Sequence, residues 1–404
     1  MTKARALAER IVARAAAIMG ATERVPVTFA HLDACFYAGE AHVDFARFML
    51  ENGADFAVPT WTNNGVVSLQ QPDLRPETED PERVRGARVL MKLYENMGAK
   101  PVFTCAPYQL PGRPKRGEHI VAGESNAVTF YNSVIGARTN KYGDYLDVAC
   151  AILGEAPLAG LHTDAGRKAG VLFRTGHIAE AWQREDVFYH LLGHHIGRVA
   201  QASVIAIDGL SRDAGEDRFK ALSSASAASG GVELWHGIGV TPEAPDLAAV
   251  FETGRVIEIG KGDLAAARAA LTSGSDGPLD MIALGTPHFS VSEFKALADA
   301  LDGRKIKPGL VFYVSTSRFV RASAGESIAA LERAGIEIVT DVCTYYSPAV
   351  RGAKGRVMTN AAKWAYYAPG MLGVEVCFGS LRECAESAVR GEVWRDAKLW
   401  SAIA

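Results

Sequence analysis

Short runs of apolar residues alternate with longer stretches of helical periodicity along most of the chain. The runs predicted to form strands are Val25–Phe29, Phe56–Pro59, Pro101–Thr104, Val204–Ile207, Val256–Ile259, Met281–Leu284, Leu310–Val314 and Ile336–Val339. Between the later runs, apolar positions at period 3.6 predict helices over Leu264–Leu271, Val291–Leu301 and Gly325–Ala334. Because strands joined by helical crossovers pair in parallel, the pattern predicts an α/β fold built from βαβ units.

The regular alternation of strands and helices begins late in the chain. It follows the stretch Ser223–Gly231, whose small residues are typical of a flexible segment. A chain of 404 residues is long enough for more than one domain. We therefore expect an N-terminal α/β region over residues 1–240 and a C-terminal α/β region over residues 241–404. The polar stretch Gln70–Glu82 predicts an exposed loop.

Composition narrows the class of protein. Lys and Arg number 43 and Asp and Glu 46, a net charge of −3 that argues against a nucleic-acid-binding protein. No run of about 18 apolar residues predicts a membrane span. Six cysteines are too few for a disulfide scaffold, so we expect reduced thiols and a cytoplasmic protein.

Reactive side chains follow several of the predicted strands. They are Cys105, Thr286, His288, Ser315, Thr316, Ser317, Arg318 and Cys343. Two earlier segments, HLDACF at His31–Phe36 and VPTWTNN at Val58–Asn64, also follow strand candidates, and the second brings Thr62 and Asn63. Ligands of parallel α/β sheets bind beyond the carboxyl ends of strands, so these residues predict a site there.

The segment Glu124–Asp144 gathers many hydrogen-bond donors where a predicted helix ends. The donors are Asn132, Ser133, Arg138, Thr139 and Asn140. They suit a ligand carboxylate, with Arg138 as its bidentate partner. A polar loop that satisfies its own backbone explains the same residues, and both interpretations stay open.

Lys363 stands among aromatic residues in the segment NAAKWAYY, residues 360–367. A desolvated lysine there would have a lowered pKa, which suits a general base or a carboxylate clamp. A surface lysine beside packed aromatic rings is the alternative.

Cys105 and Cys343 are too far apart in sequence for a zinc knuckle or a ferredoxin-like cysteine run, but a cluster assembled from distant loops could use both. Cys35 and Cys150 are more typical of buried thiols, and Cys384 follows a helix capping box that begins at Ser380. His190 and His194 have the spacing of a zinc pair but lack the glutamate of a metalloprotease motif.

An ordered set of motifs resembles the aconitase X family, in its large subunit or catalytic domain. The motifs are HLDACFY, VPTWTNN, FTCAPYQLPGRP, ESNAVTFYNSVIGARTNKYGD, LGTPHFS, TSR, TDVCTYY, NAAKWAYY and FGSLREC. The resemblance implies an aconitase-like multi-domain fold and a hydro-lyase that uses an iron–sulfur cluster. It implies dehydration of cis-3-hydroxy-L-proline to a pyrroline-2-carboxylate or, as the alternative, dehydration of mevalonate 5-phosphate. It also implies a small swivelling domain, absent from this chain, as a separate subunit in a heterodimer.

The resemblance assigns roles to residues already singled out. Cys105 and Cys343 would bind the cluster, and Thr286 stands where the phosphomevalonate type resembles LGCPH. Since a threonine hydroxyl is a poor iron ligand, we expect a smaller cluster, of the [2Fe–2S] kind, and hydroxyproline as substrate. Lys141 and Arg318 are the cations that keep the phosphate-bearing alternative open.

Lys363 and His288 are the candidate bases, unless the small subunit supplies the base, and Ser317 is a further catalytic candidate. The expected substrate contacts are Asn132, Ser133, Arg138, Thr139, Asn140, Arg318, Thr62 and Asn63. Two rival classes remain. One is a non-catalytic small-molecule-binding protein that has lost a cluster ligand at Thr286, and the other is a zinc lyase that relies on His190 and His194.

Overall fold

A computed structural model describes residues 1–75, 80–346, 350–401 and 403. Residues 76–79 of the predicted loop Gln70–Glu82 lie outside the described residues. Within the described part, no helix is long and apolar enough to cross a membrane.

The strands are short, and most are buried. In chain order they are β1 (Arg24–Pro26), β2 (Ala30–Leu32), β3 (Thr60–Thr62), β4 (Val121–Ala122), β5 (Glu155–Pro157), β6 (Val171–Arg174), β7 (Val204–Asp208), β8 (Leu234–Gly237), β9 (Arg255–Glu258), β10 (Met281–Phe289), β11 (Val311–Thr316), β12 (Glu337–Thr340), β13 (Arg356–Thr359) and β14 (Glu375–Phe378).

The helices connect these strands. They are α1 (Lys3–Met19), α2 (Glu40–Glu51), α3 (Pro81–Asn96), α4 (Ser125–Phe130), α5 (Leu146–Leu153), α6 (Glu180–Gln183), α7 (Asp186–Ala200), α8 (Glu216–Gly230), α9 (Lys261–Ala270), α10 (Val291–Leu301), α11 (Arg318–Ser323), α12 (Gly325–Ala334), α13 (Ala362–Leu372), α14 (Leu381–Arg390) and α15 (Ala397–Trp400). A π-helical turn, Tyr131–Ile135, follows α4 directly.

Three parallel sheets form the framework. The N-terminal sheet has the order β3-β2-β4, the middle sheet β8-β7-β6-β9, and the C-terminal sheet β12-β11-β10-β13-β14. Strands β1 and β5 form a separate antiparallel pair. The predicted α/β fold with parallel βαβ units is therefore confirmed.

The C-terminal sheet is buried on both faces, as strand alternation requires. Met281 and Ala283 of β10 join the core shared with the N-terminal part of the chain. Ile282 and Leu284 point to the other face and pack in the core formed with α10, α12 and α14. One strand thus ties two cores together.

The predicted strands of the C-terminal half match the structure closely, but three of the earlier ones do not. The strand expected at Val25–Phe29 shares only two residues with β1 and ends before β2 begins. The strand expected at Phe56–Pro59 does not overlap β3, which begins at the next residue, Thr60. The strand expected at Pro101–Thr104 is wrong, because Phe103 has a φ of 39° and turns the backbone out of the extended conformation. The Phe103 N–H donates to the side-chain Oγ1 of Thr62 at 3.1 Å and not to the backbone of a neighbouring strand.

The interpretation of Ser223–Gly231 as a flexible segment is also wrong. All but the last residue belong to helix α8, which is largely buried. In addition, β9 pairs with β6, so the middle sheet contains strands from both sides of residue 240, where the two predicted regions meet.

The small residues let α8 pack closely against α7. A Cβ atom added at Gly197 would lie 2.0 Å from Ser229 Oγ and 2.7 Å from the Ser226 carbonyl oxygen. A Cβ at Gly193 would lie 2.6 Å from the carbonyl oxygen of Leu222. The composition that suggested flexibility therefore serves close helix packing.

We expect Gly197→Ala to lower the free energy of unfolding by about 1–3 kcal/mol, because the added methyl overpacks the contact between α7 and α8. Gly262→Ala in α9 is the matched control, since nothing lies within 4 Å of a Cβ there. It should be neutral or stabilising by up to about 1 kcal/mol, the difference in helix propensity. Urea denaturation of both variants measures the contrast, and equal midpoints would contradict the packing argument.

Candidate active site

The carboxyl edges of the N-terminal and C-terminal sheets face each other, and side chains from both edges meet between them. Asp33 follows β2, Asn63 follows β3, and Glu124 comes shortly after β4. From the opposite edge, Cys343 lies beyond β12 and Lys363 beyond β13. Contacts across the gap join the two edges into one site.

Cys105 and Cys343 form the centre of this site. Their Sγ atoms lie 3.6 Å apart, and both side chains are buried and free of disulfides. Burial raises the pKa of the Cys343 thiol well above its usual range, and the neighbouring Cys105 thiol raises it further. A metal cation would reverse this preference, because coordination deprotonates a thiol.

His288 holds the two cysteine loops in place. Thr104 Oγ1 lies 2.9 Å from its Nδ1, and Nε2 donates to the Val342 carbonyl at 3.0 Å. Its backbone N–H also donates to Cys105 Sγ at 3.4 Å. Since a carbonyl can only accept, Nε2 carries the proton and Nδ1 accepts from the threonine. Burial lowers the His288 pKa to about 4, so the ring stays neutral.

Among the described residues, the metal-ligand type atoms of Cys105, His288 and Cys343 lie within 4.8 Å of one another. Both ring nitrogens of His288 are already hydrogen-bonded, so the two thiols are the donors left free for a metal. Two thiolates suit an iron–sulfur group, because soft sulfur ligands select iron in such clusters. The residues present therefore fit the cofactor expected from the sequence.

Glu124 and Lys363 form a buried ion pair beside the thiols. Glu124 also caps α4, where its carboxylate accepts from the Ala127 N–H at 2.6 Å. Burial alone would lower the pKa of Lys363, but the charges of Glu124 and Cys105 raise it above its ordinary value. The expected lowered lysine pKa is thus not what this environment produces, and the ammonium form is favoured.

Thr62 and Asn63, at the end of β3, contact residues that line or support the site. Thr62 Oγ1 accepts from the Phe103 N–H and so shapes the loop that carries Cys105. Asn63 Nδ2 donates to Asp33 Oδ1 at 2.5 Å, and its carbonyl accepts from the Cys35 thiol at 2.9 Å.

The candidate site residues in and after β10 and β11 differ in their hydrogen-bond partners. Ser317 is buried, and its hydroxyl caps helix α11 by accepting from the Val320 N–H at 3.1 Å. Arg318 donates from Nε and Nη2 to Asp341 at 2.7 and 2.8 Å and lies over the Phe103 ring. The buried Thr286 hydroxyl has no hydrogen-bond partner among the described residues. Thr286 lines a narrow cavity together with Lys220.

The polar side chains of residues 132–140 form hydrogen bonds with other groups of the protein. Asn132 exchanges hydrogen bonds with the Thr139 backbone at 2.8 and 3.1 Å, and Ser133 Oγ accepts from the Trp235 N–H at 2.8 Å. Asn140 Nδ2 donates to the Ala159 carbonyl at 3.1 Å.

Arg138 donates to the His162 carbonyl at 3.2 Å and pairs with Asp164 at 2.5 Å. It lines a cavity of about 360 Å³ with Arg116 and Arg167. The structure therefore does not bring Arg138 together with the cysteine pair.

The other cysteines and the histidine pair lie in structural positions. Cys384 is buried in α14 and belongs to the core on the far face of the C-terminal sheet. Cys150 is buried in α5. His190 Nδ1 accepts from the Ala362 N–H at 3.4 Å, and His194 is buried in the same helix, α7. Neither histidine belongs to the metal-ligand group found among the described residues.

Sequence reasoning missed four residues around the site: Asp33, Glu124, Asn126 and Lys220. Asn126 Nδ2 donates to the Cys105 carbonyl at 3.0 Å, and Lys220 Nζ donates to the His288 carbonyl at 3.2 Å and pairs with Glu293. Asp33 directly follows β2, and Glu124 comes two residues after β4 and opens the motif at Glu124–Asp144, so the strand-end argument could have found them. Lys220 lies on a helix and gave no such signal.

A cavity of about 770 Å³ is lined by α8, α10 and the loop at Tyr108 and Gln109. Neither cysteine of the pair lines it. Gln109 Nε2 donates to the His288 carbonyl at 3.1 Å, so the cavity wall is directly connected to the site.

Family models match almost the whole chain. They describe the first domain of aconitase X over residues 1–165, the second over residues 169–269 and the third over residues 279–390.

Curated relatives extend these matches. A cis-3-hydroxy-L-proline dehydratase of Pseudomonas aeruginosa is 42% identical over 98% of this chain and 68% of that protein. One of Hypocrea jecorina is 36% identical over 97% of this chain and 66% of that protein. The chain thus spans about two thirds of the length of these two relatives. A phosphomevalonate dehydratase large subunit of Methanocaldococcus jannaschii is 30% identical over 91% of each chain.

A solved structure has the same fold. The holo-form of Thermococcus kodakaraensis aconitase X aligns with a TM-score of 0.82 and 29% identity over 95% of each chain. Since the curated relatives are named dehydratases, the expectation of a hydro-lyase is confirmed. From the domain matches and the relatives together, the chain belongs to the aconitase X family.

Proposed function

We propose that this protein dehydrates cis-3-hydroxy-L-proline to a pyrroline-2-carboxylate. The observation that carries the proposal is the buried Cys105–Cys343 pair beside the Glu124–Lys363 ion pair. This arrangement suits a metal-assisted elimination among side chains that are buried from bulk solvent. The substrate is supported by the two relatives of 42% and 36% identity that are named cis-3-hydroxy-L-proline dehydratases.

Cys105 and Cys343 would hold an iron–sulfur cluster, which we propose to be of the [2Fe–2S] type, with Thr286 as the candidate third ligand. When bound, such a group supplies a Lewis acid for the leaving hydroxyl. The protein's part is to keep both thiols in place before binding. His288 does this through its contacts with Thr104 and Val342, so we assign it a positioning role rather than that of a base.

Lys363 is placed to donate hydrogen bonds, because Glu124 keeps it protonated. Its ammonium group reaches Ser125 Oγ at 3.4 Å as well as Glu124. We assign it the binding of a substrate oxygen and not proton abstraction. Arg318 keeps Nη1 free of Asp341 and is the second cationic candidate for the substrate carboxylate.

The base, in this proposal, comes from a small swivelling domain carried by a separate subunit. The chain spans about two thirds of the hydroxyproline dehydratases it matches, and its more distant relatives are named large subunits. We place the heterodimer in the cytoplasm, which the buried and unpaired cysteines support.

Turnover tests the substrate directly. The protein, co-expressed with its candidate small subunit under anaerobic conditions, should convert cis-3-hydroxy-L-proline and leave mevalonate 5-phosphate unchanged. Chromatographic assay of both compounds distinguishes the two relatives' activities. Conversion of the phosphate ester alone would replace the proposed substrate, and conversion of neither by a loaded protein would favour a binding protein.

Replacing either thiol of the pair should remove the metal. We expect Cys105→Ala and Cys343→Ala to lose stoichiometric iron, acid-labile sulfide and activity together, since one thiolate cannot hold the cluster. Cys150→Ala, a buried cysteine of helix α5, is the matched control and should keep all three. Iron and sulfide analysis with visible absorption provides the measurement. Full iron in both site variants would refute the assignment.

Variants of the Glu124–Lys363 ion pair distinguish its contribution to stability from its contribution to activity. Lys363→Met should destabilise the fold by about 3–5 kcal/mol, because Glu124 is left as an uncompensated buried charge. The double variant Glu124→Gln with Lys363→Met removes both charges and should recover most of that loss. Activity should be absent from both variants. Denaturation midpoints and turnover are measured together, and an active double variant would show that Lys363 does not contact the substrate.

A further inference from the structure

We infer that Asp33 binds the ring ammonium of the substrate and so selects an amino acid over a hydroxy acid without a cation. The inference rests on the proposed function. It names a residue that sequence reasoning did not single out and that has no role in holding the cysteine pair.

The Asp33 carboxylate is fixed in place and partly accessible. It follows the central strand of the N-terminal sheet directly and is half-buried. Its backbone N–H donates to Asp147 Oδ2 at 2.8 Å, and Asn63 holds Oδ1. Gly123 packs so closely that an added Cβ would lie 2.6 Å from the Cβ of Asp33. Such support on three sides leaves the side chain little freedom.

One oxygen of Asp33 remains available. Asn63 uses Oδ1, and none of the described residues hydrogen-bonds to Oδ2. A half-buried carboxylate with an unused oxygen at a strand end is a ready acceptor for a ligand N–H.

The surrounding charges favour a cationic ligand. Burial and, after it, the carboxylates of Asp144 and Glu124 raise the pKa of Asp33 to about 6, against the smaller lowering effects of Asn63 and Lys363. The charges of Glu124 and Lys363 therefore act on Asp33, which places its carboxylate near this ion pair. A ring ammonium placed against Asp33 would offset this excess of negative charge.

The chemistry of the proposed substrate fits this placement. cis-3-Hydroxy-L-proline carries its ammonium on the carbon that also bears the carboxylate and loses the proton. An ion pair to that nitrogen would fix the ring, while Lys363 or Arg318 contacts the carboxylate on the other side. Asp33 thus acts on binding and orientation, and no proton transfer is assigned to it.

The test compares two competitive inhibitors of the holoenzyme with its small subunit. L-Proline and (S)-tetrahydrofuran-2-carboxylate differ in the ring atom, an ammonium in one and an ether oxygen in the other. We expect the wild type to favour L-proline by about 10- to 100-fold, the value of a charged hydrogen bond. Asp33→Asn should reduce that preference to near one and raise the KM for the substrate by a similar factor, with a smaller change in kcat.

Asp144→Asn is the control. It removes a carboxylate from the same neighbourhood, but Asp144 pairs with His42 at 3.5 Å, so the preference for L-proline should persist. Equal thermal midpoints of both variants exclude misfolding. If the wild type has no preference, or if Asp33→Asn keeps both its preference and its KM, the role of Asp33 is wrong while the proposed function stands. A wild type that does not turn over cis-3-hydroxy-L-proline refutes the proposed function instead.

Discussion

The buried ion pair between Glu124 and Lys363 holds the carboxyl edges of two sheets against each other. Each charge alone would be unstable in that position, since the cost of desolvating an unpaired ion is several kcal/mol. Glu124 follows β4 of the N-terminal sheet and Lys363 follows β13 of the C-terminal one, so the ends of both sheets must meet for either charge to be paired. Helix α4 adds its N-terminal N–H groups to the same carboxylate.

The cysteine pair depends on this junction. Cys105 comes from the N-terminal part and Cys343 from the C-terminal part, and neither loop is a regular strand. His288 fixes both loops with one ring, through Thr104 on one side and Val342 on the other. The two thiols are therefore brought together by the fold itself, and a metal group would bind to a preformed pair rather than assemble it.

Much of this arrangement follows from sequence patterns, but its interior contacts do not. The strand-end argument placed Cys343 well, because regular βαβ spacing marks the end of β12. It did not predict β13, and Lys363 was singled out only by its aromatic neighbours. The same argument missed β2 and β4, which are too short to show a period. The aromatic neighbours of Lys363 predicted a lowered pKa, because a single sequence does not reveal which carboxylate lies opposite a lysine. The donor cluster around Arg138 was conspicuous in composition, yet its partners belong to the protein itself: the carbonyls of Glu233 and His162 and the carboxylate of Asp164.

The charge of the site separates the substrates named for the two groups of relatives. A phosphate ester would bring two negative charges to a region where the carboxylates of Asp144 and Glu124 already raise the pKa of Asp33. Of the two cations that could favour it, Arg318 already pairs its charge with Asp341 and keeps only Nη1 for a ligand, enough for a carboxylate contact. The backbone of Lys141 is bonded to Glu233 in the region of the middle sheet. A zwitterionic amino acid would be attracted instead. Its ammonium can pair with the carboxylates of the site, and its carboxylate can pair with Lys363. The electrostatics of the junction that stabilises the fold therefore also favour the smaller, cation-bearing substrate.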